Sequence, residues 1–156
     1  MNLGTTIIGI ICVALCAMPF ILTNINKNKK KNQVLKTLQD LAKQHNSEIS
    51  QHEIFSYYAI GIDDSKKTVS FILDNEETIK EDFINLGTIK TCDIVNFKKP
   101  RKETERLYLK LSPVDKSQPD VILEFYNSEI NYQLGSELQS IEKWNTLINS
   151  MLSSSK

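Results

Sequence analysis

The first 26 residues carry no charged side chain, and the next five hold four lysines, Lys27, Lys29, Lys30 and Lys31. That boundary constrains the fold more than any other feature, because a long uncharged run has to be shielded from water. Residues 3–22 read LGTTIIGIICVALCAMPFIL, and their only side-chain hydroxyls are Thr5 and Thr6. A helix of twenty residues rises about 30 Å, which matches a bilayer's hydrocarbon core. Residues 1–26 are therefore expected to form a retained transmembrane anchor. A cleaved secretory signal would start with basic residues and end a shorter apolar run at a small-x-small site. Here Met1-Asn2-Leu3-Gly4 has no lysine or arginine. Cys16 follows the bulky Leu15, which also disfavours lipid modification at that cysteine. Lysines beside a membrane segment stay on the cytoplasmic side. The expected orientation is N-terminus out, with everything after Lys27 in the cytoplasm.

Beyond the anchor about 120 residues remain, enough for one domain. Formal net charge is zero, but residues 27–43 carry a net +5 and the rest of the chain a net −5. An acidic domain on a basic stalk argues against nucleic acid, which requires a basic face on the domain itself. The four stalk lysines are expected to contact anionic headgroups at the membrane surface as well as to fix topology. Three cysteines make no disulfide framework. Cys12 and Cys16 fall in the apolar segment and Cys92 in a predicted strand, so reduced thiols are expected. The spacings Thr5-xxx-Gly9 and Cys12-xxx-Cys16 would suit helix pairing, and Pro19 would kink the helix.

Within the stalk at 27–47, Val34, Leu35, Leu38, Leu41 and Ala42 recur at helical spacing and predict an amphipathic helix whose stripe packs on the domain, with Asn46-Ser47 as its stop. Period-two patterns follow. Residues 57–62 and 68–73 flank the polar connector 63–67 as a hairpin. Residues 78–83 are read as a helical turn, and 84–86 and 89–97 as strand interrupted at Gly87. Residues 105–111 alternate cleanly, 112–120 form a loop with two prolines, and 121–126 make the last strand. Ile130, Leu134, Leu138, Ile141, Trp144, Leu147, Ile148, Met151 and Leu152 predict a closing helix, with Trp144, Leu138, Ile141 and Ile148 buried. Residues 153–156 are a frayed tail.

The expected fold is thus an N-terminal transmembrane helix plus an α+β domain at 48–152. Six or seven antiparallel strands form one bent sheet or partial barrel, closed by a long C-terminal helix. Connections this short exclude parallel crossovers. The hairpin AIGIDDSKKTVSFI at 59–72, FINLGTIKTCDIV at 83–95, the pair RLYLKL and VILEFY, and the helix with Trp144 together resemble the pleckstrin-homology-like superfold. The whole is similar to uncharacterised bacterial single-pass membrane proteins that carry such a domain. The resemblance covers most of the chain by pattern rather than by a diagnostic motif. It implies a bacterial inner-membrane protein with a binding or scaffolding domain, and no catalytic residue.

Chemistry-bearing patterns are sparse. His45 and His52 lie seven apart, whereas a zinc-protease helix needs a spacing of four with glutamate after the first. No G-x-S-x-G occurs, and Cys92 has no histidine nearby in sequence. Asp63-Asp64, Glu76-Glu77 and Glu81-Asp82 are neighbours in strands or loops, which is not the arrangement for paired acid–base work. Five glycines make no phosphate-cradling loop. No catalytic, metal or cofactor site is expected, and no cofactor. The one cationic cluster on the domain is Lys98, Lys99, Arg101, Lys102 and Arg106, a candidate contact for anionic lipid or a partner. The expected function is a membrane-tethered, non-enzymatic binding or scaffolding module, its partners the bilayer and an unidentified membrane or cytoplasmic protein. The alternative is a structural accessory subunit of a membrane or envelope complex.

Overall fold

The computed structural model describes residues 2–154 apart from Glu76 and Lys102, and within the first helix the backbone alone at positions 17, 18 and 20–25. That helix, α1, runs unbroken over Leu3–Gln44 with Pro19 inside it. The chain divides into two compact units, Met1–Thr37 and Leu38–Lys156. The expectation of a membrane anchor is corrected here: among the described residues, no helix is long and apolar enough to cross a membrane. The helix runs on through the lysines at 27–31. The single-pass description, the inner-membrane location, the outward N-terminus and the cytoplasmic placement rested on that anchor and fall with it.

The last turns of α1 belong to the second unit. Leu38, Leu41 and Ala42 are buried. Asn46 takes a left-handed φ of 56°, a conformation asparagine tolerates and one that ends helices. The Ser47 N–H then reaches back to the Ala42 carbonyl at 2.9 Å. Opposite lies Gly61, where a Cβ would come within 3.1 Å of Leu38 and 3.0 Å of Ile49. Only glycine lets the helix and the strand beneath approach so closely without displacing those side chains.

Seven strands follow: β1 (Gln51–Ile54), β2 (Tyr58–Asp63), β3 (Thr68–Asp74), β4 (Ile79–Asn85), β5 (Ile89–Lys98), β6 (Thr104–Pro113) and β7 (Val121–Asn127). They form two antiparallel sheets, β1-β2-β3-β4 and β5-β6-β7, rather than the single bent sheet expected. Among the described residues no pairing joins β4 to β5 or β7 to β1, so no barrel closes. The break has a local cause. A 3-10 turn at Leu86–Thr88, capped by the Asn85 side chain on the Gly87 N–H at 2.9 Å, swings the chain out of the first sheet before β5 begins. Residues 79–83, expected as a helical turn, are strand, because Lys80, Glu81 and Asp82 pair in register with Leu73, Ile72 and Phe71. In β6 the alternation holds, with Leu107, Leu109 and Leu111 all fully buried.

The second helix, α2, spans Glu137–Ser153, seven residues shorter at its start than the pattern from Ile130 suggested. Residues 128–136 instead form turns held by the Asn127 carbonyl, which accepts from Ile130 and Asn131. The helix buries Ile141, Trp144 and Ile148, but Leu138 lies on its exposed side. Trp144 sits in a core with Tyr58, Phe71, Leu109, Leu123 and Phe125.

Candidate functional site

An open cleft of about 620 Å3 lies on the second unit, within the size range of ligand sites. One wall is the end of β4, with Phe83 and Ile84, and its floor is Ile89 at the start of β5. The other wall is Val114 with Pro113 and Pro119, from the loop between β6 and β7, and Val121. The loop is built to hold that wall in place. The Val114 N–H donates to the Thr88 carbonyl at 2.9 Å. Asp115 accepts from the Ser117 N–H at 2.9 Å and its hydroxyl at 2.8 Å, a side-chain turn of the kind aspartate favours. Those two donors hold the Asp115 carboxyl below its usual range. Val114 is left 62% exposed at the rim, an apolar side chain in an otherwise polar loop. His45 stacks on Phe83 at 4.0 Å. The cleft was missed by sequence reasoning, which saw residues 112–120 only as a connector. Val114 between Pro113 and the polar run was the available signal.

Other polar groups are occupied in holding elements together. Asp63 is 3% exposed and accepts from the Ser47 hydroxyl, the Glu48 N–H, the Ser65 N–H and hydroxyl, and the Lys66 N–H, all within 3.0 Å. Burial pushes its carboxyl up, but those donors together outweigh burial and hold it well below the usual range. Glu53 on β1 accepts from Trp144 Nε1 at 2.6 Å and from the Ser140 hydroxyl at 2.8 Å, and Lys143 lies 3.8 Å away. Tyr58 donates to Ser140 at 3.2 Å, and burial pushes its phenol up. Tyr57 donates to the Phe125 carbonyl. Burial, and then the nearby Glu137 and Glu124 carboxylates, raise its phenol.

Cys92 is buried on β5. Burial pushes its thiol up to about 11, leaving a protonated and poorly nucleophilic group. Its carbonyl accepts from the Asn145 and Asn149 amides of α2, both at 2.9 Å. His52 is exposed on β1, and among the described residues no group of histidine, cysteine, aspartate or glutamate could hold a metal.

The cationic residues singled out in the sequence fall in two places. Lys27, Lys29, Lys30 and Lys31 are exposed on α1. Lys98, Lys99, Arg101 and Arg106 lie on the β5–β6 hairpin, and Lys102 lies outside the described residues. Carboxylates are interleaved with the hairpin charges: Lys99 is 3.7 Å from Glu105, and Arg106 is 3.4 Å from Glu129. Two of the four described cations there are thus partly neutralised. No protein-family model, no curated protein and no solved structure matches the chain.

Proposed function

We propose that the second unit is a non-enzymatic binding module whose cleft between β4 and the β6–β7 loop receives part of a partner molecule. The observation behind this reading is the combination of an apolar cleft of about 620 Å3 with walls fixed by strand ends and by the Asp115 turn. Binding sites join an apolar lining to a few placed polar groups, here Asn85, Thr88 and Asp115. Placing the photo-crosslinker benzoylphenylalanine at Val114 in living cells tests it. A discrete adduct is expected at position 114 and not at Glu142, an exposed position on α2. No adduct at 114, or the same adduct at both positions, refutes the cleft as the binding site.

A second reading rests on α1. Ile7, Ile8, Ile10, Ile11 and Val13 are all exposed, a larger apolar surface than an isolated protein ordinarily leaves uncovered. That favours an accessory subunit held in a larger assembly through this helix. Affinity purification with and without residues 2–26 separates the two: partners lost with the helix support the accessory role, and partners lost with Val114→Asp support the cleft.

A further inference from the structure

The strand that walls the cleft has an open backbone edge. Thr68 and Asn85 are register partners, and the Leu86 N–H donates to the Lys67 carbonyl at 2.9 Å. That pattern makes Thr68 and Asn85 a non-hydrogen-bonded pair, so every second residue of β4 turns its N–H and carbonyl away from β3. Those residues are Asn85, Phe83, Glu81 and Ile79. β4 is the last strand of its sheet. Among the described residues, no group bonds the main chain of Ile79, Glu81 or Phe83 on that side. At two other sheet edges α2 makes contacts: the Glu53 side chain of β1 holds Trp144 and Ser140, and the β5 carbonyl of Cys92 is taken by Asn145 and Asn149.

Charge selects what this edge can accept. Lys80 is held by Asp82 at 3.0 Å, while Glu77, Glu81 and Asp115 are exposed and, among the described residues, have no ion-pair partner. Charged side chains in the middle of an edge strand block indiscriminate pairing. An incoming strand would have to offer a cation to each carboxylate it covers, since like charges placed together cost several kcal/mol. Ile79, 66% exposed, and the cleft supply apolar contacts at the two ends of the same edge.

We infer that β4 accepts an extended, basic segment of a partner protein as a fifth strand, which sets an aliphatic side chain into the cleft and lysine or arginine beside Glu81 and Asp115. This rests on the binding-module reading and specifies its partner's chemistry. Main-chain bonds would supply affinity, and the cleft with its acidic rim would supply selectivity.

The full chain is titrated into a fluorescein-labelled nine-residue peptide of alternating lysine and valine, with a glutamate–valine peptide for comparison. Two further versions of the lysine peptide are N-methylated at alternate residues, one version for each face of the backbone. Saturable binding of the lysine peptide is expected, with little of the glutamate peptide. One N-methylation pattern should weaken binding by at least about tenfold, and so should Glu81→Lys. Hydrogen exchange should slow along β4 in the complex. A peptide that needs Val114 but tolerates both N-methylation patterns overturns strand addition and leaves the cleft reading standing. No binding of the lysine peptide, or slowed exchange elsewhere and not on β4, also overturns the inference. The Val114 cross-link decides the broader reading independently.

Discussion

Asp63 combines near-complete burial with ionisation, because five donors surround its two oxygens. Its carboxyl lies below the unfolded-chain value of about 3.9, so it contributes stability above that pH. The contribution is lost as pH falls from about 4 toward the lower folded value. Chemical denaturation of the wild type between pH 7 and pH 2 should show that loss, and Asp63→Asn should lack this part of the dependence. At pH 7 the variant should be less stable by about 2 kcal/mol, since a charged acceptor with several donors is replaced by a neutral one. Equal pH profiles for the two proteins would contradict the role. The residue stood out in sequence only as half of an acidic pair in a hairpin. Its partners Ser47 and Glu48 come from another part of the chain, and no local pattern announces them. The thiols offer a second check at this scale. Cys12 and Cys16 are exposed and Cys92 is buried, so Ellman's reagent should titrate two thiols in the native chain and a third only after unfolding. Three fast thiols would place Cys92 outside the core.

Among the elements, α2 was the most legible, because apolar spacing of three and four residues survives almost any tertiary context. Its start was misjudged: Ile130 and Leu134 fit the helical period, but Gly135 and Ser136 intervene, and residues 128–136 turn instead. Trp144 is fully buried and bonded to Glu53, so Trp144→Ala should cost about 3–5 kcal/mol. A smaller loss, with an emission maximum typical of water-exposed indole in the wild type, would show that the helix is not packed as described. Asn145 and Asn149 carried no signal at all in the sequence, since amides on a helix usually face water. Replacing both by alanine leaves the Cys92 carbonyl without its described donors and should cost about 2 kcal/mol. The β5–β6 hairpin behaves differently. Its cations are exposed and interleaved with glutamates, so Lys99→Gln with Arg101→Gln should move stability by less than about 0.5 kcal/mol.

At the scale of the molecule, the strands were readable and their partition into two sheets was not. Gly87 marked a break in the pattern, but a bend and a change of sheet look alike in one dimension. What separates them is the Asn85 cap on the 3-10 turn and the absence of pairing between β4 and β5 among the described residues. The apolar N-terminal run was equally visible and misled: among the described residues no helix is long and apolar enough to cross a membrane. The division into units at Thr37 and Leu38 makes a direct prediction. A chain beginning at Asn32, which keeps Leu38, Leu41 and Ala42, should unfold in one cooperative step with a thermal midpoint close to that of the full chain. One starting at Ser47 should lose about 3 kcal/mol or more, through removal of those three buried side chains. Equal midpoints for the two truncations would show that the end of α1 is dispensable.

The Asp63 cluster also divides its donors by their separation along the chain. Ser65 and Lys66 are two and three residues away, whereas Ser47 and Glu48 approach from sixteen and fifteen residues back. The near pair can form as soon as the β2–β3 hairpin closes, on the microsecond scale of isolated hairpins. The far pair forms only when the end of α1 has docked. The Glu48 amide proton is therefore a single-atom clock for docking: in pulse-labelling refolding it should gain protection after the Ser65 and Lys66 amides, and in the native protein its exchange rate measures how often the helix end lifts away.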